Sequence, residues 1–443
     1  MASRRVSKTP ENASRRSDAE LPDQELPDEE LPDEELLDLV QRQTLRYFCD
    51  FAHPASAMAR ERSNPVAGYD YLDNVCSGGT GFGVMAMLAG AARGFRTRAE
   101  VIERVSRIVE FLGRAESFHG VFPHFLHGAT GAAIAFSEQD DGADLVETAY
   151  LMAGLLCARQ YFAGAAPIER RLREAVDRLW RGVDWHWHTR GGGERLYWHW
   201  SPRHGWGMEH GIAGWNECLI AYVLAASSPD HPIAPAVYHR GWTDSPTFRN
   251  GRAYYGIELP LGPDYGGPLF FSHYSFLGLD PRGLRDRYAD YWAQNRAHTR
   301  INRAHCLANP GGFAGYGADC WGLTACDGDQ GYGAFCPQND RGIIAPTAAL
   351  SAMPYTPRES MIVLRHLYQQ SGGELWRTHG FVDSFNRSRN WIAQGNLAID
   401  QGPIVVMIEN YRSALIWKLL MSCPEIQTGL RRLEFVAGSE SGA

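Results

Sequence analysis

The sequence predicts an all-α fold: a double ring of helices, an (α/α) barrel, with long aromatic and Gly-rich loops over one mouth. Two kinds of helical segment carry that expectation. "LVETAYLMAGLLCARQYF" is apolar nearly all round and belongs inside, whereas "TRAEVIERVSRIVEFLGRA" has one charged face and belongs outside. They alternate along the chain, as an inner and an outer ring would require. The third observation is that strand-like alternation is scarce, with short pieces near "RAYYGIEL".

The elements follow in order. Residues 1–20 are polar and rich in Ser and Arg, a composition that favours disorder. "LPDQELPDEELPDEE" repeats every five residues, and its prolines forbid a regular helix. Residues 1–35 therefore read as a disordered, acidic, Pro-containing segment, with a helix beginning after Pro32. Leu36, Leu37, Val40, Thr44, Tyr47 and Phe48 recur there at helical spacing. Further helices are expected at about 79–94, 98–113, 143–163, 167–185, 212–227, 281–297, 345–352, 357–370, 386–398 and 404–421. Loops fill 186–210, 250–275 and 308–343, and no flexible linker follows residue 35. Residues 36–443 thus read as one domain, although length alone suggests two or three.

Composition narrows the function. The chain is 44% hydrophobic and 21% charged, as ordinary globular proteins are, and its net charge of −8 argues against nucleic acid and anionic membrane as partners. No apolar run is long enough to span a bilayer. The first 20 residues show no apolar signal core, so a cytoplasmic location is expected, with the periplasm as the alternative. Nine cysteines include no CxxC pair, and Cys306, Cys320, Cys326 and Cys336 lack zinc-site spacing. No metal and no cofactor are expected. The 13 Trp, 19 Tyr and 19 Phe include many in Gly-rich stretches, where flat faces with polar edges suit sugar rings.

Acids inside apolar helices are the candidate chemical groups, because a buried charge is costly unless paired or used. Asp144 and Glu147 are three apart at the start of a buried helix and share a face. The helix dipole accounts for nearby Asp140 and Asp141, but poorly for Glu147 among Leu145, Val146, Ala149 and Leu151. Glu217 stands alone between "GWN" and "CLIAYVLAA"; an apolar setting there raises its pKa and suits proton donation. Asp400 precedes "QGP", where the Gly-Pro pair is expected to break the helix and leave Asp400 at its end. Glu409 and Arg412 are expected to pair with each other on one helix face. HExxH, GxSxG and P-loop motifs are absent, "GGTGFG" has no strand leading into it, and "WHWH" spaces its histidines poorly for a metal.

Long stretches resemble the glucoamylase-like hydrolases, and among them glycoside hydrolase family 144, the β-1,2-glucanases. They are "GTGFGVMAMLAGAARGF", "VFPHFLHGATG", "DLVETAYLMAGLLCARQYF", "GWNECLIAYVLAASSP", "DRGIIAPTAALSAMPYTP", "LWRTHGFVDSFN" and "WIAQGNLAIDQGPIVVMIENYRSALIWKLLM". The resemblance covers about residues 35–425. It implies an (α/α)6 barrel acting on β-1,2-linked glucan or oligosaccharide. It places the general acid on Glu217 and the general base of an inverting mechanism on Asp400, with Asp144 and Glu147 important for activity. Trp215, Trp321, Trp391 and Tyr411 are expected to line the cleft, with Arg377 and His379 bonding sugar hydroxyls, because they lie in motif or Gly-rich segments. Endo action is favoured. Transglycosylation and exo release of sophorose are the alternatives, ahead of a polysaccharide lyase or a glucan-binding protein. Family members carry a secretion signal, and none is visible here.

Overall fold

The computed structural model divides into Met1–Glu30 and Leu31–Ala443, and describes residues 31–66, 70–370 and 373–437. Of the segment 1–35 expected to be disordered, residues 1–30 lie outside the described residues, and Asp33–Glu35 are helical. Twelve α-helices are described: α1 Asp33–Cys49, α2 Ser77–Ala92, α3 Arg98–Leu112, α4 Leu145–Tyr161, α5 Pro167–Gly182, α6 Leu219–Ser227, α7 Tyr291–Ala308, α8 Pro346–Leu350, α9 Pro357–Gln370, α10 Ala398–Ser413, α11 Leu415–Met421 and α12 Pro424–Arg432.

The two expected classes of helix separate in space. α6 and α8 are buried along their whole length and α2, α4 and α10 over most of theirs; they form the inner ring, with α2 packed on α4 and α10. The 3-10 turns Leu269–Ser272 and Ser275–Leu277 fill the ring between α6 and α8. α1, α3, α5 and α9 show charged faces to solvent and form the outer layer. The fold is an (α/α)6 barrel. Its strands are short and lie in the connecting loops; some pair across intervening helices, as Ala143–Asp144 with His199–Trp200, and the longest form the hairpin of Arg249–Tyr254 with Ile257–Leu261.

α2 begins "SGGTGFG", a poor intrinsic helix former. Packing explains the glycines. A Cβ on Gly81 would stand 2.2 Å from the Tyr150 carbonyl of α4, and one on Gly154 would stand 2.2 Å from the Gly81 carbonyl. The two backbones touch, so neither position can hold a side chain. Gly81→Val should destabilise the protein by at least about 3 kcal/mol, read as the urea midpoint. Gly182→Ala, which meets nothing within 4 Å, should move it little.

Several boundaries differ from expectation. Residues 386–398 are not a helix: Phe385–Asn386 pairs with Trp391–Ile392. The Asn386 side chain accepts from the Arg389 N–H and Asn390 takes a left-handed φ of 49°, so local turn chemistry wins over periodicity. α7 starts at Tyr291 because Asp290 caps it, accepting from the Ala293 N–H at 2.9 Å. α6 starts at Leu219, after a turn with Gly214 at φ +81°. The Gly402-Pro403 pair does not end a helix; both lie inside α10, which stops at Ala414, φ +58°. α12 was not expected.

Glu409 and Arg412 do not pair with each other. Arg93 of α2 donates to Glu409 at 2.7 Å, while Arg412 donates to Asp38 and Glu34 of α1, each at 2.6 Å. Gln41 bridges the two systems, donating to Glu409 at 3.3 Å and accepting from Arg412 at 2.7 Å. Both charges thus clamp α10 to its neighbours.

Candidate active site

The expected acids lie at the N-terminal ends of inner helices. Asp144 caps α4, Glu147 sits in its first turn, Glu217 lies two residues before α6, and Asp400 is the third residue of α10. Two bonds show that these ends meet. The Gly78 N–H at the start of α2 donates to Glu147 Oε2 at 2.6 Å. Thr347 Oγ1 at the start of α8 donates to the Asp400 carbonyl at 2.9 Å. The positive ends of several helices therefore converge on one mouth and favour acidic groups there.

Between the acids lies an aromatic floor. Phe82 packs against Tyr150 and Tyr274 with centroids 5.0 and 5.2 Å apart, and the two tyrosine rings meet edge to face. Both tyrosine hydroxyls are buried without a hydrogen-bond partner. Tyr150 feels the charges of Glu217 and Glu147, and Tyr274 those of Asp400 and Glu217. The three acids thus surround one floor.

Beside it opens a cavity of about 370 Å³, whose lining includes Glu61, Arg62, His124, Phe136, Glu147 and Tyr332. Leu397 and Ile399, flanking the first residue of α10, complete the wall next to Asp400. The Tyr332 and Phe136 rings are exposed and form its rim.

The acids differ in environment. Burial, with Asp144 adding repulsion, pushes Glu217 up to about 7, in the range of a proton donor near neutral pH. Its own carbonyl is held by the Ser275 hydroxyl. Asp400 is 1% exposed and neither carboxyl oxygen has a donor; burial and then Asp383 raise its pKa well above the usual carboxylate range. Asp144 is already occupied. Its Oδ1 accepts from the N–H groups of Val146 and Glu147 and from Trp198 Nε1, at 2.9–3.0 Å. Its Oδ2 stands 3.1 Å from His124 Nδ1. Burial would raise its pKa, but the His124 bond and the His199 and His124 charges hold it below normal. It fixes the start of α4 and orients His124. Glu147 is raised by burial against the pull of His124.

His124 is the cation of the cluster. Burial alone would depress it, yet Glu147, Asp144 and Asp140 bring it to about 9. A histidine raised from 6.5 to about 9 stabilises the fold fully below 6.5, and that contribution is lost as pH rises through 9. Thermal stability should therefore fall between pH 7 and 9.5, and His124→Gln should flatten the fall in a pH series of melting curves. His124, Asp140 and Asp144 also bring ligand-type atoms within 4.8 Å of one another. The Asp144 oxygens serve the bonds above, and the arrangement works as an ion-paired network.

The six expected sugar contacts do not join this cavity wall. Trp321 is 0% and Trp215 3% exposed, so neither offers a face; Trp215 packs against Trp242, Phe248 and Tyr291. Tyr411 is exposed, but eleven residues along α10 from Asp400, roughly 16 Å towards the opposite end. His379 packs on Tyr47 and Phe51 at outer helix α1. Arg377 donates to the carbonyls of Ala393 and Gln394, and Trp391 belongs to the hairpin with Asn386. Glu61, Arg62, Phe136, Tyr332 and Asp383 were missed. His124 lay in a noted motif, "VFPHFLHGATG", and its placement between two aromatics was the available signal.

Residues 209–424 match the model of a family described as "Putative glucoamylase". A crystal structure of a Bacteroides uniformis protein bearing that description is 56% identical, with TM-score 0.90, over 93% of this chain and 99% of that one. The endo-β-1,2-glucanase of Chitinophaga pinensis, solved with sophorotriose and glucose, is 49% identical, with TM-score 0.90, over 92% and 99%. The exo β-1,2-glucooligosaccharide sophorohydrolase of Parabacteroides distasonis is 43% identical over 421 residues, 90% of this chain. This chain spans 58% of that relative's length. Among the described residues no helix is long and apolar enough to cross a membrane.

Proposed function

We propose that this chain, which belongs to the glucoamylase-like hydrolases and has the β-1,2-glucanases of glycoside hydrolase family 144 as relatives, hydrolyses β-1,2-linked glucan with inversion. The observation that carries the reading is the placement of two acids, Glu217 and Asp400, at the ends of two inner helices beside one aromatic floor. Glu217, protonated up to about pH 7, gives its proton to the leaving glycosidic oxygen. Asp400 takes a proton from the water that attacks the anomeric carbon from the other face. Glu147 and His124 border the cavity and are suited to holding sugar hydroxyls. Nine free cysteines, eight of them buried, fit a reducing compartment.

Linear β-1,2-glucan followed by proton NMR and chromatography tests this. The expected first product is an α-configured reducing end. A β-configured one would mean a retaining route, and uncut glucan would remove the reading. Mixed lengths at early times are expected for endo action, the activity named for the relative matched over 99% of its chain. The exo-acting relative gives reason for a second reading, and sophorose alone from the first minutes would establish it.

A further inference from the structure

The strand before Asp383 abuts the start of α10 beside Asp400: Gln401 Nε2 donates to the Phe381 carbonyl at 3.1 Å. Asp383 lies between two hairpin strands, Gly380–Phe381 and Phe385–Asn386, and is 2% exposed. Its Oδ2 accepts from the Asp327 N–H at 2.6 Å, which fixes the side chain. Its Oδ1 and both oxygens of Asp400 are buried without a donor among the described residues. Asp383 and Asp400 nonetheless act on each other's protonation as hydrogen-bonding neighbours. Two carboxylates are both acceptors only, so that contact forms only if one carries a proton.

We propose that Asp383 and Asp400 share a single proton and that the singly ionised pair, with Asp383 as positioning residue, is the base that activates water. The inference rests on the reading of Asp400 as the base. It also resolves a difficulty in that reading. Burial and the facing carboxylate both favour the protonated form of Asp400, which could accept nothing. Asp383 is raised to about 7 by burial and by Asp327. Sharing one proton leaves one negative charge, as in other close carboxyl pairs.

The surroundings favour a single charge. Asp327 and Glu61 repel a second one, and Cys326, Tyr274 and Tyr332 are the other titratable groups nearby. Among the described residues the facing cation is Arg62, 3.2 Å from Asp327 and 2.8 Å from Glu61. In the reaction a water lone pair forms the bond to the anomeric carbon and the glycosidic bond breaks. Its electron pair leaves on the oxygen, which takes the Glu217 proton. The water proton enters the pair, which becomes neutral. Loss of that proton to solvent and reprotonation of Glu217 close the cycle.

Two measurements test the proposal. In kcat/KM against pH, Asp383→Asn should move the acidic limb down by at least about one unit, with the basic limb unmoved. In infrared spectra at pH 7, taken as wild type minus variant, the same protonated carboxyl band should be lost in both Asp383→Asn and Asp400→Asn, while the bands of Glu217 and Asp140 cancel. A fall in rate at every pH with the limb in place would overturn the proposal, as would persistence of the band in Asp400→Asn. The infrared arm on Asp400→Asn decides the matter if Asp383→Asn fails to fold. Turnover retained by Asp400→Asn would instead remove Asp400 as the base, while leaving the infrared result to report on the shared proton.

Discussion

Glu217→Gln should lower kcat on β-1,2-glucan by at least about 100-fold, the range for loss of a general acid, with the fold intact. The amide keeps the shape and the neighbours but cannot give up a proton. Two further readouts separate lost chemistry from lost structure. A substrate whose leaving group needs no proton, such as a nitrophenyl β-sophoroside, should recover most of the rate. The melting temperature should rise relative to wild type as pH climbs from 4.5 to 7 and stay higher beyond. An acid raised from 4.5 to about 7 loses stability across that window, because the unfolded chain gives up its proton first, and glutamine escapes that cost. Near-normal turnover of the polymer by a folded variant would remove Glu217 as the donor.

Asp400→Asn should cost about 10²–10⁴-fold in kcat while glucan binding persists, since its carboxyl oxygens anchor nothing else in the fold. Azide, which attacks without losing a proton, should restore turnover and yield the α-configured glycosyl azide. A folded variant that turns over normally, or one that azide cannot rescue and that no longer binds glucan, would contradict the role.

The barrel was legible because burial in concentric layers writes itself into composition: "LIAYVLAAS" has no polar face, and α5 has one wherever it meets water. The acids were legible for the same reason, as carboxyls with no business in such helices. What periodicity could not register was turn chemistry. Asn386, Asn390 and Asp290 each redirect the backbone through one side chain or one positive φ. The expected sugar contacts lie off the cavity wall for another reason. Aromatic residues in Gly-rich segments were expected in the cleft, but Trp215 and Trp321 are large enough to be drawn into the core. Asp383, in a hairpin without apolar period, becomes visible only when the fold brings it to Asp400.

The glycine seam between α2 and α4 has a consequence for selectivity. Backbone rests on backbone there, so no side chain can change rotamer to let one helix slide on the other. Glu147, tethered across the seam to the Gly78 N–H, is held in fixed register with the opposite wall. That side of the cleft acts as a rigid gauge. It accepts sugar linkages by the spacing they present and does not reshape itself to meet them, so analogues with other linkages should be refused at binding.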